Sequence, residues 1–283
     1  MTVSPRNQFA SLNARFPGKR AFVTGAGAGL GLELAKALAS DGWVIGLFDR
    51  NVERLANVEA EFSHAGIPAL AYPGDVTQAD ELTVAVNSFA ASHDGLDLMI
   101  NNAGVAVVGN LMEVPLDDWR WVIDINLMGV VHGARAALPH LQRNGAGMII
   151  NVASAAAFAS APGMGPYNAT KAAVVSFSET LAAELRPSGT RVAVVMPTYF
   201  TSGLLDTFRG PEWARRAASQ SMTAAGYTAS DVARDVLSCA GKGEFYIALP
   251  ASTRSLWRLK RWMPNRFLKR IGNLHEKMRG PNR

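Results

Sequence analysis

Arg20–Ala–Phe–Val–Thr24–Gly25–Ala–Gly27–Ala–Gly29–Leu30–Gly31 is the stretch that decides the fold. A short, mostly apolar run reads as a buried strand, and glycines follow it at once. Leu34, Ala35 and Leu38 then share one face of a helix expected from Leu32 to Ser40. Glycines at a strand–helix turn let backbone amides approach a diphosphate, and the helix N-terminus stabilises its charge. The next strand, Trp43–Phe48, ends on Asp49, 24 positions after Gly25. An acid placed there can accept hydrogen bonds from ribose hydroxyls, and it also stands where a helix N-cap before Val52 would. It repels a 2′-phosphate, so NAD is expected over NADP. Arg50 beside it keeps NADP open, because a guanidinium can bind that phosphate.

The alternation continues outward from this unit. Helices are expected near 51–64 and 78–93 and strands at 68–72 and Leu96–Ile100. A long helical region from Leu116 to Arg143 precedes the strand Met148–Val152. Further on come the strand Arg191–Val195, a helix near 230–240 and a last strand, Phe245–Ala248. Short apolar strands alternating with amphipathic helices give βαβ units and a parallel sheet covered on both faces. Right-handed crossovers then yield an α/β doubly wound fold of about seven strands in one domain. The chain divides into an arm at 1–18, which lacks clear periodicity, a domain at 19–250 and an extension at 251–283.

The composition, 48% hydrophobic with 26 glycines in 283 residues, suits a well-buried domain. The single cysteine, Cys239, excludes an internal disulfide and fits a reducing compartment. Five scattered histidines lack metal-ligand spacing, so no metal site is expected. The N-terminus lacks the pattern of a signal peptide, and no apolar run reaches the roughly 18–20 residues that span a bilayer. A cytoplasmic protein is expected. Its charge is uneven: from Ala251 onward ten Lys/Arg face one acid, a net +9 of the chain's +5, which leaves −4 for the first 250 residues.

A second stretch carries chemistry. Tyr167–Asn–Ala–Thr–Lys171 opens a helix-like run, and a spacing of four puts phenol and ammonium on one face. Free tyrosine titrates near pKa ~10, and a cation held close favours the phenolate. Ser154, 13 positions before the tyrosine, offers a hydroxyl to fix a carbonyl or alcohol oxygen beside the phenol. Taken alone, a Tyr/Lys pair at this spacing also arises by accident on surface helices.

Thr24–Gly25–x–x–x–Gly29–x–Gly31, Asp75–Val76, Asn101–Asn102–Ala103–Gly104, Asn126, Ser154 and Tyr167–x–x–x–Lys171 occur in one order. Together they resemble the short-chain dehydrogenase/reductase family over residues 19–248. The resemblance implies a single Rossmann-like domain holding both cofactor and substrate. It implies that the glycine turn, Gly27 and Leu30 included, receives the pyrophosphate and that Asp75 and Val76 border the adenine. Asn101 to Gly104 would support the sheet and line the ribose side. Asn126 would kink its helix and anchor a proton-relaying water, Ser154 would hold the substrate oxygen, and Tyr167 would be the acid/base. Lys171 would bind the nicotinamide ribose and lower the tyrosine's pKa. After the sixth strand the family often has Pro–Gly; here Pro197 is followed by Thr198, and Ser202 is favoured over Thr201 as the hydroxyl for the carboxamide. Homodimers or homotetramers are implied, with dimers formed through the helices near 116–143 and 165–186.

Residues 199–226 are expected to cover the substrate, with Tyr199, Phe200, Leu204, Leu205, Phe208, Trp213 and Met222 as apolar candidates. Val105 to Val108, Ala155, Ala156 and Phe158 would face them. Few charges fall at these positions, which favours a neutral, hydrophobic secondary alcohol or ketone. Two other readings stay open: an NADPH-linked ketoacyl-type reductase, and a dinucleotide-binding scaffold without catalysis. In the extension, Leu256, Leu259 and Met263 share helical spacing, as do Phe267, Ile271, Leu274 and Met278, among lysines and arginines. That pattern suits either an amphipathic helix packed on the domain or a partner subunit, or peripheral contact with anionic lipid. No recognition motif for nucleic acid accompanies the charge.

Overall fold

The computed structural model describes residues 8–143 and 145–279. Residues 1–7 of the expected arm and 280–283 of the extension lie outside them, as do the side chains of Leu274 and Met278. Seven strands form one all-parallel sheet in the order β3-β2-β1-β4-β5-β6-β7. They are β1 (Arg20–Thr24), β2 (Val44–Asp49), β3 (Ala69–Pro73), β4 (Leu98–Asn101), β5 (Met148–Val152), β6 (Arg191–Pro197) and β7 (Tyr246–Leu249). The order reverses between β1 and β4, so the carboxyl ends of these two strands open the crevice where doubly wound sheets bind ligands.

One face of the sheet is covered by α1 (Ala10–Arg15), α2 (Gly29–Ser40), α3 (Val52–His64) and α10 (Ala229–Gly241), which share a core with Val23, Ile45, Ile100 and Val195. The other carries α4 (Ala79–Ser92), α5 (Leu116–Ile123), α6 (Gly129–Arg143) and α8 (Gly165–Leu185) over Phe22, Met99, Ile149 and Val192. Strands buried on both faces read as continuous apolar runs, which is why β4, β5 and β6 were legible. Between β4 and β5 the rows of the sheet meet in polar groups: Asn101 Nδ2 donates to Asn151 Oδ1 at 2.8 Å, and Asn151 Nδ2 to Ser178 Oγ at 3.0 Å. Asn101 Oδ1 lies so close to Gly133 of α6 that any Cβ there would overlap it.

The stretch read as an arm is in part a packed helix. Phe9, Leu12 and Phe16 are buried, and α1 lies on α10. Asp41, itself buried, accepts from the Gln8 and Phe9 amides at 2.8 and 2.9 Å and from Asn13 Nδ2 at 2.7 Å. A six-residue helix with three apolar contacts is too short for periodicity to declare it. A carboxylate 28 positions later holds it instead.

The extension forms α11 (Thr253–Trp262) and α12 (Pro264–Arg279), broken at Met263–Pro264. α11 packs on β7 and on α7 (Ala156–Ala159). Trp257 lies 4.7 Å from the Tyr246 ring, and Arg254 pairs with Glu244 at 2.7 Å. Among the described residues, no helix is long and apolar enough to cross a membrane.

Candidate active site

The glycine turn sits at the carboxyl end of β1. Gly25 and Gly29 take φ of +67° and +56°, a region that strains residues with a Cβ. A Cβ on Gly31 would run into the Gly25 carbonyl oxygen, so glycine is what lets α2 close onto the turn. Asn102 fastens the turn to β4: its Nδ2 donates to the Thr24 and Gly25 carbonyls at 3.0 and 3.3 Å. Thr24 Oγ1 accepts from the Asn102 and Ala103 amides at 3.0 and 3.1 Å. α2 starts with Ala28 at its N-cap, with no side-chain cap and no acid in its first turn, whereas α3 and α10 are capped by Asn51 and Thr228. Among the described residues no side chain caps the first-turn amides, Leu30 and Gly31 among them, and that donor set fits a dinucleotide's diphosphate.

Asp49, at the end of β2, accepts from the Gly27 amide at 2.9 Å through Oδ2 and from the Asn51 amide at 2.9 Å through Oδ1. The α3 cap expected of Asp49 is supplied by Asn51, whose Oδ1 accepts from the Arg54 amide at 2.9 Å. The side chain two residues later reaches the free helix amide, and Asp49 is left to brace the turn. Arg50 is exposed. The arginine against the glycine turn is Arg54: a Cβ on Gly27 would lie 3.4 Å from Arg54 Cβ. Arg54 also pairs at 2.8 Å with Asp206, in the 3-10 turn Gly203–Thr207. Asp75 closes a turn ahead of α4 by accepting from the Thr77 amide at 2.9 Å, and Val76 is buried against Gly129 with its carbonyl 2.9 Å from His132 Nδ1.

At the carboxyl ends of β4 and β5 the structure gathers the other candidates. Ser154 follows β5; its Oγ accepts from the Ala156 amide at 3.1 Å and makes a long contact, 3.5 Å, with the Pro197 carbonyl. Tyr167 lies in the first turn of α8, where Pro166 sits at a position whose amide needs no helical partner. Lys171, one turn on, is buried; its Nζ donates to the Val152 carbonyl at 2.9 Å and lies 5.8 Å from the Tyr167 ring centre. A Cβ on Gly104 would sit 3.3 Å from both Lys171 Nζ and Asn126 Oδ1, so the loop after β4 closes against both.

Asn126 occupies a π-helical turn, Asp124–Met128, between α5 and α6. Its Oδ1 accepts from the Val105 amide at 2.8 Å, while Nδ2 donates to the Val105 carbonyl at 3.0 Å and Thr170 Oγ1 at 3.3 Å. Wide turns of this kind collect at functional sites.

The electrostatics differ from the sequence expectation. Burial pushes the Tyr167 phenol up to about 12; the contact with Ser154 pulls it down and Tyr199 pushes it further up. Burial lowers Lys171 to about 8. The expected depression of the tyrosine by the lysine is overturned because both groups leave water. Desolvation disfavours the charge on each, and the ammonium bonds to a carbonyl rather than to the phenol.

After β6, the Thr198 amide donates to the Leu249 carbonyl at 2.9 Å. Thr201 is tied by its amide to the Tyr227 carbonyl at 3.2 Å, whereas Ser202 lies against the glycine turn and caps the 3-10 turn through the Leu204 amide at 3.4 Å. Of the expected covering residues, Met222 of α9 (Glu212–Ala224) is buried and Tyr199 and Trp213 are half-exposed, but Phe200 packs into the main core. Val105 and Val107 likewise belong to the core beneath the loop. A cavity of 350 Å³ runs between Val107, Val114 and Trp213; of its charged lining, Arg209 pairs with Asp118 at 2.6 Å and stacks 3.7 Å over Trp121, and Glu113 adds a second acid. Sequence reading missed Arg54, Asp206 and Arg209, whose partners lie far away in the chain.

Residues 19–212 match the family described as short chain dehydrogenase. An uncharacterized oxidoreductase of Staphylococcus aureus (strain USA300) is 34% identical over 189 residues, 67% of this chain and 79% of the relative. The 2-dehydro-3-deoxy-L-rhamnonate dehydrogenase (NAD(+)) of Sphingomonas sp. (strain SKA58) is 34% identical over 193 residues, 68% and 76% of the two chains. Among solved structures, a short chain dehydrogenase/reductase from Burkholderia phymatum in complex with NAD superposes with a TM-score of 0.83 at 31% identity, covering 87% of this chain and 94% of that one. With the switch-point crevice and its glycine turn, these matches establish that the chain belongs to the short-chain dehydrogenase/reductase family, as an NAD(P)-binding oxidoreductase acting on CH–OH groups.

Proposed function

We propose that Tyr167 is the acid/base of an NAD-preferring dehydrogenase that interconverts a neutral, hydrophobic secondary alcohol and its ketone. The observation that carries this reading is the convergence of Ser154, Tyr167 and Lys171 on one wall of the crevice, with the phenol buried beside the serine. A bound nicotinamide dinucleotide supplies the hydride chemistry. Ser154 Oγ holds the substrate oxygen, and Tyr167 Oη takes the alcohol's proton in oxidation or gives its own to the developing alkoxide in reduction. Lys171 binds the nicotinamide ribose and offers the proton path, while Asn126 positions the loop at Val105 and anchors a relaying water. The glycine turn with Thr24, Gly25, Gly29 and Gly31 takes the diphosphate, and Asp75 and Val76 border the adenine. Ala103 and Gly104 line the ribose, with Pro197, Thr198 and Ser202 on the carboxamide side.

Asp49 beside the turn favours a free 2′-hydroxyl over a phosphate. The NAD in the Burkholderia structure and the NAD(+) in the Sphingomonas enzyme's name support the same preference. Val107, Val114 and Trp213, which line the cavity, support a hydrophobic substrate. Exposed Leu116 and Ile123 on α5 and Met128 on the π-helical turn support self-association through the 116–143 region.

The test is titration with NADH and NADPH, followed by ketones and secondary alcohols graded by chain length. Turnover that prefers NADH and rises with chain length supports the reading. Preference for charged, short substrates overturns the substrate class, and tighter binding of NADPH overturns the cofactor.

A further inference from the structure

The helical hairpin at the end of the chain has one face used and one unused. On the used side, Trp257 stacks on Tyr246, Arg254 pairs with Glu244, and Phe267 is buried with Lys260 Nζ 5.3 Å over its ring. The apolar seam between α11 and α12 is therefore satisfied within the chain. On the outward side, the corner between the helices presents Trp262 at 83% exposure, Met263 at 37% and Leu268 at 60%. Arg258, Arg266, Lys269 and Arg270 are exposed on these helices, while Arg261 turns back over the Trp257 ring at 5.8 Å. Between Ala251 and Asn273 there is no acidic residue.

An exposed tryptophan and leucine ringed by cations, on helices too short and polar to span a bilayer, form the composition of an interfacial element. The apolar side chains enter the headgroup boundary and the cations pair with lipid phosphates. The same corner of a second copy is a poor occupant, since a symmetric contact would set its cations against cations.

We propose that this corner docks the protein on an anionic membrane surface. The inference is independent of the substrate reading, because none of these residues belongs to the crevice.

The test is co-sedimentation of the full chain with vesicles of phosphatidylcholine alone and of equal parts phosphatidylcholine and phosphatidylglycerol. The expected result is pelleting with the anionic vesicles only, reversed by high salt. Trp262→Ala/Leu268→Ala and Arg258→Gln/Lys269→Gln should each weaken it roughly tenfold or more with unchanged thermal unfolding. Equal pelleting with both vesicles, no pelleting at all, or unaltered pelleting of both variants overturns the proposal. A change of oligomeric state in the vesicle-free variants assigns the face to a second copy, and overturns it too.

Discussion

Lys171 Nζ lies 5.8 Å from the centre of the Tyr167 ring and donates a hydrogen bond to the Val152 carbonyl at 2.9 Å. The two residues are neighbours in one buried wall rather than a bonded pair. Acid/base work by Tyr167 then depends on its own phenol. Tyr167→Phe should lower turnover about 10²–10⁴-fold, while NADH binding followed by fluorescence stays within a few-fold. Near-normal turnover in this variant would remove Tyr167 from the mechanism.

The direction of catalysis should respond to pH with a definite sign. A phenol pushed up to about 12 is protonated at neutral pH, ready to donate to a ketone. Alcohol oxidation needs the phenolate, whose fraction grows with pH. Initial rates of oxidation should therefore climb between about pH 7 and 9, while reduction stays flat. Oxidation that is flat over that range contradicts the assignment.

Lys171 gives a stability signature. Its folded pKa, about 8, lies below the ordinary 10.5, so between these values the unfolded chain binds a proton that the folded chain releases. The lysine's contribution rises with pH through that window, and the full burial penalty applies below it. Relative to the native chain, Lys171→Met should be at its greatest advantage below pH 8 and lose it toward 10.5. Urea unfolding at a series of pH values measures this.

Asn126→Ala would leave the buried Val105 amide and carbonyl without their side-chain partner. Each such group costs about 1–3 kcal/mol, so thermal unfolding should fall by several degrees. Turnover should fall with it, because the Val105 loop borders Gly104 and Lys171.

Asp49→Ala removes the acceptor for the Gly27 amide and the charge opposed to a 2′-phosphate. NADH affinity should drop roughly tenfold and the gap between NADH and NADPH should narrow. An unchanged ratio of the two affinities would place discrimination elsewhere, with Arg54 the next residue to change.

What the sequence disclosed followed from local physics. β4 to β6 are apolar runs because both faces of the sheet are covered, and Gly25 to Gly31 announce a strand–helix turn because no other residue fits it. The misses share a cause. α1 is held by Asp41, Arg54 by a carboxylate 152 positions away, and Arg209 by Trp121 and Asp118. None of these partners is visible in a local window. Asp49 and Asn51 both suit a helix start, and only the backbone path decides that Asn51 reaches the Arg54 amide. The Tyr167 shift failed because spacing reports distance along a helix and not depth beneath the surface.

The π-helical turn at Asp124–Met128 takes up one residue more than an α-helical path would. Deleting a single residue from this stretch would let α5 and α6 join as one regular helix. The helix after it would keep its phase, so Gly129 would stay against Val76 and Gly133 against Asn101. Asn126 would lose the wide turn from which its side chain reaches the Val105 amide and carbonyl. Substituting a side chain tests a contact, but shortening the stretch by one residue would remove the turn that makes the contact. The number of residues here is itself part of the specification of the site.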